Sequence, residues 1–384
     1  MTATTGDYHV STQTREGLTI HVLEERATGA RAEFLSGLGA NCIRLQLAAN
    51  GTAHDLLPPV DIAELKIHPT KQGMPVLFPF PGLVSKARYR FEDKTGALHP
   101  ALFTNDNYHG FAFSAPWRVT RHEATDAGAV IEQELTSGSL PDMETQYPFP
   151  FRLRLRHTLR ASVLTLRITL ENTSPPSPPP DPDTTGRIAG RTAGHAAKPQ
   201  NLPFGIGLHP YIRWPLAPAG GDPDACRFTL DATHYWADGN KWMHPERLPV
   251  TAENDPRPGL RPRTGMSEHY TGISVSGDGW SESRFTDPVA RLTVVLRMRE
   301  EFGIQVFFVP ASHPDTVSIE AYTAIPNAIN LQALDRRAGG HLQTGLRILP
   351  PGGRFETSLQ IALQATFDLP PVETKTVVNE ERGT

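Results

Sequence analysis

The sequence predicts an all-β protein, a large antiparallel β-sandwich, on three observations. Apolar and polar residues alternate over long stretches, proline is abundant, and no stretch of about twelve residues shows apolar 3.6 periodicity. The alternation is clearest between Phe149 and Leu170. Leu153 and Leu155 alternate with Arg152, Arg154 and Arg156; after a break at Ala161-Ser162, Leu164, Leu166, Ile168 and Leu170 alternate with Thr165, Arg167 and Thr169. This predicts two half-buried strands forming a hairpin with one wet face. Proline fills 36 of 384 positions, about 9% against a usual value of roughly 5%, and it disfavours a helix-dominated fold.

Other elements follow the same logic. Leu292 to Met298 and Ile304 to Val309 flank Glu300-Glu301-Phe302-Gly303 and read as a second hairpin. Gly17 to Leu23, Ala32 to Phe34, Asn41 to Leu47 and Val317 to Ile319 are shorter strand candidates. Ser174 to Gln200 carries almost no large apolar side chain, so burial cannot offset its ordering entropy. It is a linker or an insertion. Because the strand patterns on its two sides are alike, it reads as a flexible insertion (174–200) in a single domain spanning 1–384. The polar tail, Val372 to Thr384, reads as disordered.

Composition bounds the function. Lys plus Arg is 37 against 41 for Asp plus Glu, a net charge of −4. That balance gives no bulk attraction for nucleic acid or an anionic membrane. No apolar run approaches the roughly 20 residues of a membrane span, and the polar start MTATTGDYHV lacks the basic-then-apolar order of a signal peptide. Cys42 and Cys226 are too few for a disulfide framework. These features predict a soluble, cytoplasmic protein; they leave the oligomeric state open.

Three segments hold the candidate chemistry. In NLPFGIGLHPYIRW, Gly205 and Gly207 allow close backbone approach and Pro210 stiffens the chain after His209. In NDNYHGFAFSAPW, His109 precedes Gly110 and an aromatic run. In DTVSIEAYTAIPNAINL, Glu320 closes an apolar strand next to Tyr322 and Thr323; burial there would raise its pKa toward that of a working base. The G-x-G at Gly205 lacks the last glycine and the βα setting of a dinucleotide fingerprint. No H-E-x-x-H and no Cys/His cluster suggests a metal.

Taken in order, these segments resemble the aldose 1-epimerase (mutarotase) family. The matching residues are Gly39-Ala40, Phe78-Pro79-Phe80-Pro81-Gly82, Arg88 to Phe91, Asn107 to Phe111 with Trp117, Tyr147-Pro148-Phe149, Glu171-Asn172, Gly205 to Tyr211, and Glu320 with Thr323, Pro326, Asn327 and Ala328. The resemblance covers about residues 15 to 365 and is most like the branch with hexose-6-phosphate mutarotases. It implies a galactose mutarotase-like sandwich that interconverts the α and β anomers of a hexose or hexose phosphate, without metal or cofactor. By the same resemblance Glu320 takes the C1 hydroxyl proton, His209 protonates the ring oxygen, and His109 steadies the ring region.

Two departures stand out. Where the family commonly has a sugar-binding arginine, this chain has Leu83, with Lys86 and Arg88 as nearby substitutes. The family's sugar-binding aspartate falls best on Asp238, with Asp255 behind it. Trp236, Trp242 and Tyr211 are candidate sugar contacts, and Lys71, Lys86, Arg88 and Arg213 are candidates for a phosphate. The rival expectation is a carbohydrate-binding or sensing protein with weak or no turnover. A lyase or hydrolase would need a second acid or a tyrosine base near Glu320, and Tyr322 and Tyr211 are candidates for the base.

Overall fold

The alternating segments become strands because each has an apolar side to bury and a polar side to leave wet. A computed structural model describes residues 3–366 apart from 103, 177–198, 218–220, 239–241, 338 and 340–341. Most of the proline-rich insertion and all of the 372–384 tail lie outside the described residues. The strands form a six-stranded sheet and two eight-stranded sheets, with three two-stranded ribbons, and every ladder is antiparallel. Three short helices are described: Ile62–Ile67, Met143–Gln146 and Ala328–Arg337. None is long and apolar enough to cross a membrane.

The first expected hairpin forms. Phe151–Arg160 pairs with Val163–Asn172 through a turn in which Ala161 and Ser162 take φ of 50° and 55°. Its leucines are fully buried. On the other face, Arg154 and Arg156 sit opposite Glu134 and Glu132, and Arg152 opposite Glu171. Opposite charges facing each other across strands give that wet face its register. The short candidates near residues 18–25, 30–35, 41–49 and 316–322 are also strands.

The second hairpin does not form. Leu292–Arg299 pairs with Trp280–Asp287 and Arg354–Ala365 in one eight-stranded sheet. Ile304–Phe308 pairs with Ser267–Ile273 and Thr316–Tyr322 in the other. The intervening residues, with Phe302 buried, cross between the sheets. Both strands are central and apolar on most positions, so each finds partners on both edges, which a simple hairpin would not supply.

The sheet that carries Thr316–Tyr322 uses its two faces differently. Val317, Ile319, Ala321 and Phe307 point into the main core, which runs from Val10 to Leu363. Phe307 stacks on Phe228 of the opposite sheet at 4.2 Å, and Gln305 donates to Ser283 Oγ there at 2.8 Å. The alternate residues, Ile304, Val306 and Tyr322, form a smaller cluster on the other face with Leu83, Trp236 and Trp242. That second face holds the candidate site.

Candidate active site

Register places the site's floor. Trp236 lies opposite His269, His269 opposite Val306, and Val306 opposite Glu320. On the far edge Gly207 and Leu208 pair with Tyr322 and Ala321, which brings His209 up beside Glu320. One row across four strands therefore carries an imidazole, an aliphatic and a carboxylate on the same face, with a second imidazole at its end. Gly207 matters to this row, because a Cβ there would sit 2.8 Å from the Tyr322 ring. The ring instead lies over bare backbone, and its hydroxyl donates to Glu320 Oε2 at 2.5 Å.

The opposite wall comes from Gly82, Leu83, Tyr108 and His109. His109 and Gly110 have φ of 71° and 76°. Asn107 holds this turn: its Oδ1 accepts from Gly110 N at 3.0 Å, and its Nδ2 donates to the carbonyls of His99 and Gly110. His109 N donates to Gly82 O at 2.7 Å, and Gly82 N donates to His109 Nδ1 at 3.1 Å. Nδ1 is thus an acceptor, which puts the proton of the neutral ring on Nε2. A Cβ on Gly110 would lie 2.2 Å from the Phe78 carbonyl oxygen. Gly110→Ala is therefore expected to cost roughly 2 kcal/mol or more of folding stability, measured by urea unfolding; an unchanged midpoint would contradict this reading of the turn.

His209 and Glu320 form a dry pair. They are 4% and 2% exposed, and His209 Nε2 lies 3.2 Å from Glu320 Oε1. On the other side of the ring, Ser318 Oγ is 2.8 Å from Nδ1 and 2.9 Å from the Pro210 carbonyl. A hydroxyl has one proton. Donated to Pro210, it leaves Oγ to accept from Nδ1–H, which turns Nε2 toward the carboxyl. Burial pushes the Glu320 carboxyl up to about 8, against the opposing hydrogen bond from Tyr322. Burial, with His109 beside it, holds His209 well below the ordinary imidazole value. At neutral pH the pair thus holds one proton between two atoms, and its uncharged form has a carboxylic acid facing a neutral imidazole. His109 is held down to about 4 by burial and stays neutral.

These groups line a cavity of about 260 Å³ together with Asp238, Trp242, Ser267, His269, Phe308 and Pro326. Of the candidate site residues singled out from sequence, Glu320, His209, His109, Asp238, Trp242 and Tyr322 meet here, and Leu83 is part of the wall. Asp238 sits at the exposed mouth, its Oδ1 accepting from Trp242 N at 2.7 Å. The others are elsewhere. Tyr211 stacks behind His209 at 4.6 Å and donates its hydroxyl to Thr70 O, so its ring supports the imidazole instead of facing the cavity. Trp236 is in the floor row but buried among Leu83, Trp242 and Val306, and it is Trp242 that reaches the cavity. Lys86 is exposed, with its backbone N–H held by Asp106. Arg88 lines a separate surface cleft with Arg90 and Asn330. Asp255 is engaged by Arg257 through both carboxylate oxygens. Lys71 and Arg213 are also outside the lining, and among the described residues no Lys or Arg belongs to it.

Sequence reasoning missed His269, Ser267 and the part Tyr322 plays as a donor. The alternation in SEHYTGI was the available signal. It does not show which of its two faces meets the cavity.

The antiparallel sandwich defines a class, the galactose mutarotase-like fold. Solved structures share it. A galactose mutarotase-like protein from Clostridium acetobutylicum aligns with a TM-score of 0.76 at 17% identity, over 94% of this chain and 99% of that one. The galactose 1-epimerase of Lactobacillus acidophilus aligns at 0.64 with 13% identity, over 93% and 100%. The aldose epimerase homologue from C. elegans aligns at 0.61 with 13% identity, over 88% and 97%. At these identities the likeness is one of fold. Residues 24–178 match the aldose 1-epimerase family, and the chain is similar to that family, as its ordered motifs implied.

Proposed function

We propose that this protein is an aldose 1-epimerase that opens and recloses the hemiacetal ring of a hexose by general acid–base chemistry, with no cofactor. The observation that carries the proposal is the buried His209–Glu320 pair, 3.2 Å apart and facing a sugar-sized cavity. Ring opening removes the proton from the C1 hydroxyl and adds one to the ring oxygen, and closure on the other face reverses both transfers. With the shared proton on His209, the Glu320 carboxylate takes the C1 hydroxyl proton while His209 gives its own to the ring oxygen. Both groups end uncharged, which is the state their burial favours. The Tyr322 hydroxyl steadies the carboxylate at the start, and His109 Nε2–H offers a hydrogen bond to oxygen as charge develops.

Supporting a monosaccharide, the cavity is smaller than the roughly 300–1,000 Å³ usual for drug-sized ligands. The described lining, with a carboxylate and no cation, suits an unphosphorylated hexose better than a hexose phosphate. NMR magnetisation transfer between anomers, across a panel of free and 6-phosphorylated aldoses, tests this. The protein is expected to accelerate exchange of at least one free hexose; no acceleration with any sugar would remove the enzymatic reading. Leu83 in the wall favours one alternative, a sugar-binding protein without turnover, because leucine offers no hydrogen bond to a hydroxyl. Binding by calorimetry with no gain in exchange rate would select that alternative.

A further inference from the structure

The cavity holds a third imidazole that the chemistry above does not use. His269 is 9% exposed and lies in the floor row, separated from Glu320 by the Val306 strand. With strands about 4.8 Å apart, its backbone is about 10 Å from that of Glu320 on the same face. Its ring is fixed on one side by the edge of Trp242, at 4.6 Å between centroids, and Trp242 is itself tied to Asp238. Burial holds the ring down to about 4, so it is uncharged near neutrality and keeps one nitrogen as an acceptor. The nearby Ser267 carbonyl favours a proton on the nitrogen it faces. His109 and His209 each have a nitrogen committed to a protein group. His269 is likewise held on one side by the Ser267 backbone, and its ring lines the cavity.

If the anomeric centre sits at Glu320 and His209, a pyranose lying on this floor extends along the row toward His269. We propose that His269 accepts a hydrogen bond from the hydroxyl on the side of the sugar ring opposite C1, and so decides which epimer the cavity takes. The inference rests on the sugar-site reading and deepens it. A neutral acceptor there, with the mouth carboxylate of Asp238 beyond it, selects for a hydroxyl in one orientation. An epimer that points the hydroxyl away leaves the imidazole nitrogen unpaired in a dry wall.

The test is a cycle between protein and sugar variants. Exchange rates are measured for D-glucose, D-galactose and their 3-deoxy and 4-deoxy derivatives, with wild type, His269→Phe and His269→Gln. Wild type is expected to favour one parent sugar over the derivative lacking the contacted hydroxyl by roughly 10- to 100-fold in kcat/KM. His269→Phe should lower the parent and bring that ratio to within about threefold, while His269→Gln, which keeps an acceptor, should retain most of it. Equal losses for parent and deoxy sugar, or a glutamine variant indistinguishable from phenylalanine, would overturn the assignment. If wild type exchanges no sugar, the enzymatic reading fails by itself, and the same ratios are then read as Kd by calorimetry. A Kd ratio unchanged in His269→Phe, or no sugar bound at all, would overturn the assignment there too.

Discussion

Glu320→Gln is expected to lower anomer exchange by roughly 10²- to 10⁴-fold, the range of a lost general acid–base group, while leaving the fold intact. Glutamine fits the space and can still accept from the Tyr322 hydroxyl, but it neither takes nor gives a proton. The same substitution should raise stability at slightly alkaline pH. The sign follows from linkage. Burial lifts the carboxyl from its ordinary value to about 8, so the folded state binds a proton that the unfolded chain has already released above about pH 4.5. The wild type therefore loses stability as pH rises from there through about 8, and the glutamine variant does not. Thermal unfolding at pH 5.5 and pH 8 checks this: the gap between variant and wild type should widen at the higher pH. Because His209 and Glu320 act on one shared proton, adding His209→Asn to Glu320→Gln should cost little beyond either change alone. Multiplicative losses in the double variant would show that the two act independently, and would sink the shared-proton reading.

Much of this site is legible in the sequence, and the unread part has a physical pattern. His109, His209 and Glu320 stand out because each is flanked by residues with a marked backbone character: the permissive Gly110, the rigid Pro210 and a run of β-formers. Other residues of the ordered motifs hold turns instead of facing the cavity. Asn327 accepts from Ser85 N and donates to Trp242 O, joining three segments around the site. Tyr147 donates to Pro203 O, and Asn172 Nδ2 donates to the carbonyls of Gln200 and Leu349. Cross-strand neighbours are harder to read. His269 and Glu320 are 51 positions apart and meet only through the strand of Val306 between them, a pairing no local pattern encodes. Lys86, Arg88 and Trp236 failed as cavity residues for a related reason. Nearness in sequence to the Leu83 turn or to Asp238 does not say which way a side chain leaves its strand. The Leu292 and Ile304 strands show the same limit at the level of the fold, since alternation and a Gly-containing break fit a sheet-to-sheet crossing as well as a hairpin.

The pH profile of kcat/KM is expected to fall tenfold per unit above about pH 8 and to show no inflection near 6.5. Catalysis needs one proton on the His209–Glu320 pair, and the free protein keeps it until the carboxyl raised to about 8 ionises. Above that point the carboxylate faces a neutral imidazole and no acid remains. On the other side, a second proton must enter a dry imidazole already held down by burial and by His109. The acid limb therefore lies well below the ordinary histidine value. His109, held to about 4, stays neutral over the same range and adds no step. Tyr322→Phe supplies the internal control. Its hydroxyl favours the carboxylate, so removing it should move the alkaline limb upward and lower the rate, whereas a purely structural loss would lower the rate at every pH without moving the limb. An inflection near 6.5 in wild type, or an alkaline limb that Tyr322→Phe leaves in place, would mean that the working proton does not reside on this pair.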